Sequence, residues 1–239
     1  MNDVTRNTFI FSPRIQGLLI KEGDALFPAG KIYCVGRNYE EHAKEMGSTA
    51  DRDKPFFFSK PTQATTHKED IPYPSQTTTL HHEVELVVLL GSTCSNIDPV
   101  DAAQHIFGYA VGIDLTKRDL QELAKQAGKP WDLSKGFDDA APISAILQKK
   151  GQLIDSGVIR LDVNGETRQS DDLSNMIWKV DEVISSLSQS ITLHAGDIIF
   201  MGTPAGVGPL VPGDYVQASI ENVGALSFTI SEKKSSTSI

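Results

Sequence analysis

At 239 residues, with 39% hydrophobic and 22% charged side chains, the chain has the composition of a globular protein and length for one large or two small domains. Its 31 acidic residues against 22 Lys and Arg leave a formal charge of −9, which argues against a nucleic-acid partner and against an anionic membrane surface. The 2 cysteines, Cys34 and Cys94, make neither a disulfide framework nor a zinc cluster, no stretch reaches the length of a membrane span, and Ser12-Pro13-Arg14 interrupts the N-terminal apolar run, so the reading is cytoplasmic.

Residues 1–30 read as a short lead-in without chemistry, holding one short strand or turn at 17–21. Residues 31–35 form an apolar strand stopped by Gly36; a turn at Arg37-Asn38-Tyr39 and a helix over 39–46, closed by Gly47, follow. On that helix His42 and Glu45 are three apart and share a face, where a carboxylate can orient an imidazole as a general base for water. The same spacing also describes a surface histidine beside an exposed glutamate, and both readings stand at this point. Residues 54–61 are a strand bracketed by prolines, with three phenylalanines for packing, and 62–79 a threonine-rich loop.

The most pointed pattern is at 81–91. From Val84 it is a strand of β-branched and aliphatic residues closed by Gly91, and period-two alternation puts Glu83 and Glu85 side by side on one face. Val87 and Leu89 share that face while Val84, Leu86 and Val88 hold the other, so the strand is buried on both sides beyond the glutamates. Paired buried acids without a cation are costly. A second apolar run, 108–114, ends on Asp114. Together these give a three-carboxylate, all-oxygen set suited to Mg²⁺ or Mn²⁺; the plain alternative for a Glu-x-Glu pair is the solvent face of an amphipathic strand.

Between these two strands, 98–105 reads as a capped helix with His105 structural. Residues 116–127 form a strong helix on which Arg118 and Gln121 share a face, and a loop over 128–142 carries Lys135 among small neighbours. The second half is β-rich. A hairpin at 159–169 turns on Asn164-Gly165, the pair that favours type I′, and 178–188 is a helix with Val180, Val183, Ile184 and Leu187 at helical spacing. Residues 193–208 are a turn, a buried strand and a Gly/Pro-rich loop able to present N–H groups to an anion. Two final strands and a polar tail at 231–239 close the chain. No linker or repeat divides residues 31–230, which read as one catalytic domain.

Taken together the motifs resemble the fumarylacetoacetate hydrolase family, in particular its short single-domain branch of acylpyruvases and oxaloacetate decarboxylases. They are Val35-Gly36-Arg37-Asn38-Tyr39 with His42 and Glu45; His82-Glu83-x-Glu85; Gly108-Tyr109 to Asp114; Asp114-Leu115-Thr116-x-Arg118-Asp119-x-Gln121; Gly128-x-Pro130-Trp131 with Lys135; Asn164-Gly165-Glu166; and Gly196-Asp197 with Gly202-Thr203-Pro204-x-Gly206-Val207-Gly208. The resemblance implies a β-rich mixed α/β fold, a β-roll or barrel with peripheral helices, and a homodimer. It implies Glu83, Glu85 and Asp114 as ligands of Mg²⁺ or Mn²⁺, His42 and Glu45 as the water-activating pair, and Lys135 as a substrate-facing cation. Arg37, Arg118, Gln121 and Thr203 match positions near a bound 2-oxo acid.

The implied activity is metal-dependent cleavage of 2-oxo acids, by acylpyruvate C–C hydrolysis or oxaloacetate decarboxylation, through a metal-bound pyruvate enolate. Two alternatives are an isomerase or hydratase of 2-oxo diacids in aromatic catabolism (the 5-carboxymethyl-2-hydroxymuconate isomerase or 2-oxopent-4-enoate hydratase type) and a non-catalytic β-protein with a structural Ca²⁺ site. One departure stands out: Gly136 follows Lys135 where relatives tend to carry Ser or Ala, which loosens the placement expected of Lys135.

Overall fold

The side chains of Val84–Leu90 divide between two apolar clusters: Val84, Leu86, Val88 and Leu90 pack into one, Val87 and Leu89 into the other, and the whole strand is buried. In this computed structural model, which describes residues 9–47 and 52–233, the strand is third of six in a mixed sheet. The order is Leu147–Gln148, Ile106–Ile113, Val84–Leu90, Ile198–Phe200, Ile32–Gly36, Phe56–Lys60. Neighbours run antiparallel except Ile198–Phe200 and Ile32–Gly36, which are parallel. A strand covered on both faces needs no polar alternation, hence its aliphatic run.

A second sheet, ordered Glu166–Asp172, Val158–Val163, Tyr215–Ile220, Gly224–Ser231, Asp70–Pro72, turns Ile159, Leu161, Val216 and Phe228 toward the larger cluster. Helix α4 (Val180–Ser190) adds Val180, Val183, Ile184 and Leu187 to it. The hairpin turn has Asn164 at φ 54° and Gly165 at φ 81°, the positive angles a type I′ turn requires. The lead-in strands Gly17–Leu19 and Leu26–Pro28 pair, and Leu18 and Phe27 bury into the smaller cluster. The class is β-rich mixed α/β, as the sequence implied, and none of the described sheets closes into a barrel. The parts of the lead-in and tail at 1–8 and 234–239 lie outside the described residues. No described helix is long and apolar enough to cross a membrane.

Several local expectations are corrected. The strand over 81–91 is broken at Glu83: Leu80–His82 joins a small sheet with Thr116–Lys117 and Gly208–Leu210, whereas Val84–Leu90 joins the large one. The Val84 N–H, deprived of ladder pairing there, donates instead to Gln169 Oε1 at 3.1 Å. The helix over 98–105 is two 3₁₀ turns, Pro99–Asp101 and Ala103–His105; Val100 is exposed, so no apolar stripe holds a longer helix. The helix expected from 116 begins at Arg118 (α2, Arg118–Gln126), because Thr116 and Lys117 pair with Leu80–His82. The loop over 62–79 contains a 3₁₀ turn and the strands Thr65–Thr66 and Asp70–Pro72. Lys135 is not on a loop. It ends the single-turn helix α3 (Asp132–Lys135), closed by the Lys135 N–H on the Trp131 carbonyl at 3.0 Å, and it is buried.

Candidate active site

Sheet register brings the acids together. Val84 pairs with Ile113 and Glu85 with Gly112, so Glu83 and Asp114 meet just past the strand ends. Carboxylate oxygens of Glu83, Glu85 and Asp114 lie within 4.8 Å of one another, and all three residues are buried. Gly112 is part of this: a Cβ there would stand 2.5 Å from Val87 and 2.6 Å from Phe200, so only glycine lets the strands close opposite Glu85.

Three cations surround the acids. Arg118 Nη2 donates to Glu83 Oε1 and its Nη1 to Gln121 Oε1 at 2.5 Å. Lys135 Nζ donates to Glu83 Oε2 at 2.9 Å, Asp114 Oδ2 at 2.6 Å and Thr116 Oγ1 at 2.6 Å. Lys60, not singled out in the sequence, places its Nζ 2.7 Å from Asp114 Oδ1. Yet Asp114 Oδ1 accepts no aligned hydrogen bond. The two facts agree because an ammonium has three hydrogens, and Lys60 gives them to the carbonyls of Leu115 at 3.2 Å, Lys135 at 2.5 Å and Ala140 at 3.0 Å. Asp114 Oδ1 receives charge without a proton, and its lone pairs stay open.

Burial alone pushes the Glu83 carboxyl up, but Lys135 and Arg118 overcome it and hold Glu83 well below the usual carboxylate range. Glu85 goes the other way: burial, then the charges of Asp114 and Glu83, push it well above that range, against the opposing charge of Lys135 and the N–H of Gly202 at 2.7 Å. Lys135 is depressed by burial but raised on balance by Asp114 and Glu83. Three hard oxygen donors, one short of positive charge and one with an open oxygen, fit a divalent cation such as Mg²⁺ or Mn²⁺.

Helix α1 (Glu40–Glu45) sets His42 against the same cleft. His42 Nδ1 is 3.2 Å from Glu45 Oε2, and the Glu45 carboxylate also accepts the Gly206 N–H at 3.2 Å, which ties α1 to the Gly-rich loop. With Nδ1–H directed at Glu45, Nε2 is left as the acceptor. His42 is 7% exposed, so the surface-histidine reading falls. Thr203 lines the cleft and its Oγ1 accepts from Gln169 Nε2 at 2.8 Å. Arg37 stands at the rim in a left-handed backbone conformation, φ 58°, a geometry that concentrates at functional sites. Arg37, His42, Glu83, Glu85, Asp114, Arg118, Gln121, Lys135 and Thr203 all line one cleft, with Glu45 behind His42. His105 is elsewhere, bonded to Ser92 Oγ at 2.8 Å.

Two buried amides beyond the sequence-stated set organise the site. Gln169 Oε1 accepts from His82 Nδ1 at 3.0 Å and the Val84 N–H, while Nε2 donates to Thr203 Oγ1 and the Pro204 carbonyl at 2.8 Å. Asn38 Nδ2 donates to the carbonyls of Trp178 at 3.0 Å and Met201 at 2.7 Å, and its Oδ1 accepts the Trp178 N–H at 2.7 Å. The only sequence signal for either was a polar residue inside a motif or hairpin.

Residues 31–231 match the family described as fumarylacetoacetate (FAA) hydrolase, C-terminal. The mitochondrial oxaloacetate tautomerase of Bos taurus is 39% identical over 201 residues, covering 83% of this chain and 90% of that one. The oxaloacetate tautomerase of Escherichia coli (strain K12) is 38% identical over 197 residues, covering 82% and 90%. Among solved structures, fumarylpyruvate hydrolase from Pseudomonas aeruginosa, in complex with Mn²⁺ and pyruvate, aligns with a TM-score of 0.91 at 39% identity over 95% of this chain and 100% of that one.

Proposed function

The chain belongs to the fumarylacetoacetate hydrolase family, and on that premise we propose that it is a divalent-metal-dependent enzyme acting on small 2-oxo acids, with residues 31–230 as the catalytic unit. Its favoured reaction is hydrolysis of an acylpyruvate: R–CO–CH₂–CO–COO⁻ and water give R–COO⁻, pyruvate and a proton. The observation that carries this is the buried His42, held by Glu45, opening on the same cleft as the three carboxylates. Decarboxylation of oxaloacetate needs the carboxylates but no attacking water, so the pair would be superfluous to it.

Glu83, Glu85 and Asp114 would hold the cation. When bound, the ion supplies Lewis acidity and a template for the carboxylate and keto oxygens of the 2-oxo acid. His42 takes a proton from water at Nε2, with Glu45 holding Nδ1–H and offsetting the imidazolium charge. The water oxygen bonds to the distal acyl carbonyl carbon, the bond from that carbon to the methylene breaks, and its electron pair passes to the pyruvate half, where Lys135 stabilises the charge until a proton reaches the methylene carbon. Arg118, Gln121 and Thr203 orient the 2-oxo acid, and Arg37 closes the rim.

A second reading, not among the alternatives drawn from the sequence, is keto–enol tautomerisation of oxaloacetate, favoured by the names of the bovine and bacterial relatives. It moves one proton between C3 and the C2 oxygen and breaks no carbon–carbon bond. The deciding experiment measures pyruvate release from acetylpyruvate and oxaloacetate, and decay of enol-oxaloacetate absorbance, with Mg²⁺, with Mn²⁺ and with EDTA. Metal-dependent pyruvate from acetylpyruvate supports hydrolysis; enol decay with no pyruvate from either compound replaces it by tautomerisation.

A further inference from the structure

A second cavity, of about 280 Å³, shares no lining residue with the carboxylate cleft. Its walls are Tyr73, Phe137 and two prolines, and its charged groups are Lys117, Lys233, Asp138 and Asp139. The chain joins the two spaces at Lys117. Thr116 Oγ1 and the Arg118 guanidinium bond to Lys135 and Glu83 inside the cleft, whereas Lys117, on the two-residue strand between them, lines the second cavity.

Lys117 is only 8% exposed, yet its Nζ has neither a hydrogen-bond acceptor nor an ion-pair partner among the described residues. Its direct contact is the Phe137 ring, with the centroid 4.8 Å away. Asp119 and Asp138 act on it only through space, and Asp119 has committed its carboxylate to Thr77, Thr78 and the Leu120 N–H. Burial prevails over both and lowers the Lys117 ammonium from the ordinary lysine range. A buried ammonium with three hydrogens and no acceptor is costly, and an acceptor placed in the cavity removes that cost. Lys233 repeats the arrangement, its Nζ 5.4 Å from the Tyr73 ring centroid and 3.5 Å from the Thr77 carbonyl. Asp139 is neutralised by Lys68 at 2.7 Å. The two lining lysines therefore stand against one remaining acid, Asp138, a surplus of one positive charge on a chain whose formal charge is −9.

We infer that this cavity is a second, non-catalytic binding site, built for a small monocarboxylate with an apolar body and centred on Lys117. The single surplus charge selects a monoanion. Phe137, Tyr73 and the prolines take the apolar body, Lys117 donates to the carboxylate, and Lys233 adds attraction from the exposed side. The inference stands on the cavity and its lysines, and so holds whichever reaction the carboxylate cleft performs.

The test titrates the full chain with benzoate and with benzamide, which share a ring and differ in a carboxylate against a neutral amide, and follows the ligands by NMR. At low salt benzoate binds in the millimolar range or tighter, by about tenfold or more over benzamide, and added salt shrinks that ratio. Lys117→Gln brings the ratio toward one. Lys233→Gln, at an exposed residue where folding is not endangered, weakens benzoate by about two- to fivefold. Saturating pyruvate with Mg²⁺ leaves benzoate binding unchanged, because the two spaces have no lining residue in common. Equal affinity for benzoate and benzamide, or no binding of benzoate, overturns the site. Undiminished benzoate binding in a folded Lys117→Gln protein places the carboxylate elsewhere and overturns the assignment; where that variant does not fold, an unchanged affinity in Lys233→Gln does the same. Displacement of benzoate by pyruvate and Mg²⁺ puts it in the carboxylate cleft and also overturns the inference.

Discussion

The Asp114 amide donates a 2.8 Å hydrogen bond to the Glu83 carbonyl. Two of the three clustered acids are therefore fixed to each other through main chain, at the point where one strand leaves the large sheet and the next segment joins the small one. The third, Glu85, is two register positions further in, opposite Gly112. Side-chain rotation can adjust this triad, but only a change of strand register can dismantle it.

Glu85→Gln should weaken Mg²⁺ or Mn²⁺ binding by about tenfold to a hundredfold in isothermal titration calorimetry. Because burial and its acidic neighbours raise the Glu85 carboxyl, the neutral amide suits the metal-free protein, and Gln can still accept the Gly202 N–H. The metal-free variant should melt at the wild-type temperature or above it. A large loss of metal-free stability would contradict this account of Glu85.

His42→Ala separates two reactions that share the rest of the cleft. Acylpyruvate hydrolysis should fall by about 10²–10⁴-fold, the range for a lost general base. Oxaloacetate decarboxylation, which consumes no water, should fall far less under the same Mg²⁺ conditions. Parallel losses, read as pyruvate release, would refute the water-activating role.

Gln169→Leu strips hydrogen-bond partners from His82, the Val84 N–H, Thr203 and the Pro204 carbonyl. Unsatisfied buried groups cost about 1–3 kcal/mol each, partly relieved by relaxation, so a loss of about 2–4 kcal/mol is expected in urea unfolding. Thr203 lines the cleft, so KM should rise as well. Unchanged stability would mean that solvent replaces the amide.

His67 gives a pH dependence remote from the cleft. Its Nδ1–H donates to the Ile143 carbonyl at 2.8 Å and its Nε2 accepts the Leu19 N–H at 3.1 Å, so only the neutral ring satisfies both. Burial lowers it from the ordinary histidine range despite the Ile143 bond. The folded state thus binds the proton less readily than the unfolded chain, and the contribution is complete above the unfolded value of about 6.5 and lost as pH falls through the lower folded value. Urea unfolding from neutral to mildly acidic pH should show a shallower decline for His67→Gln than for wild type; an identical slope would exclude the histidine.

What the sequence revealed followed the range of each interaction. The period-two spacing of Glu83 and Glu85 and the acid ending 108–114 exposed the carboxylate triad, because strand period and burial are local signals. His42 and Glu45 were legible for the same reason, and Asn164-Gly165 carries its turn in two residues. Lys60 was not, since its partners Leu115, Lys135 and Ala140 are 55 to 80 residues away. Gln169 reaches Val84 across 85 residues and so read as an ordinary hairpin residue. The break at Glu83 was hidden because pairing partners, not composition, decide where a strand changes sheet. Lys135 looked like a loop residue because a single turn leaves almost no helical period to detect.

The three carbonyl bonds of Lys60 have a consequence for exchange at this position. An ammonium whose hydrogens are all engaged is a counter-ion for Asp114 that cannot also be a rival for its lone pairs. Arginine, with five N–H groups in a planar fork, would retain the charge yet present a hydrogen to Asp114 Oδ1 and contend with any cation for that oxygen. Lys60→Arg, conservative by charge, therefore alters an oxygen proposed to hold the cation.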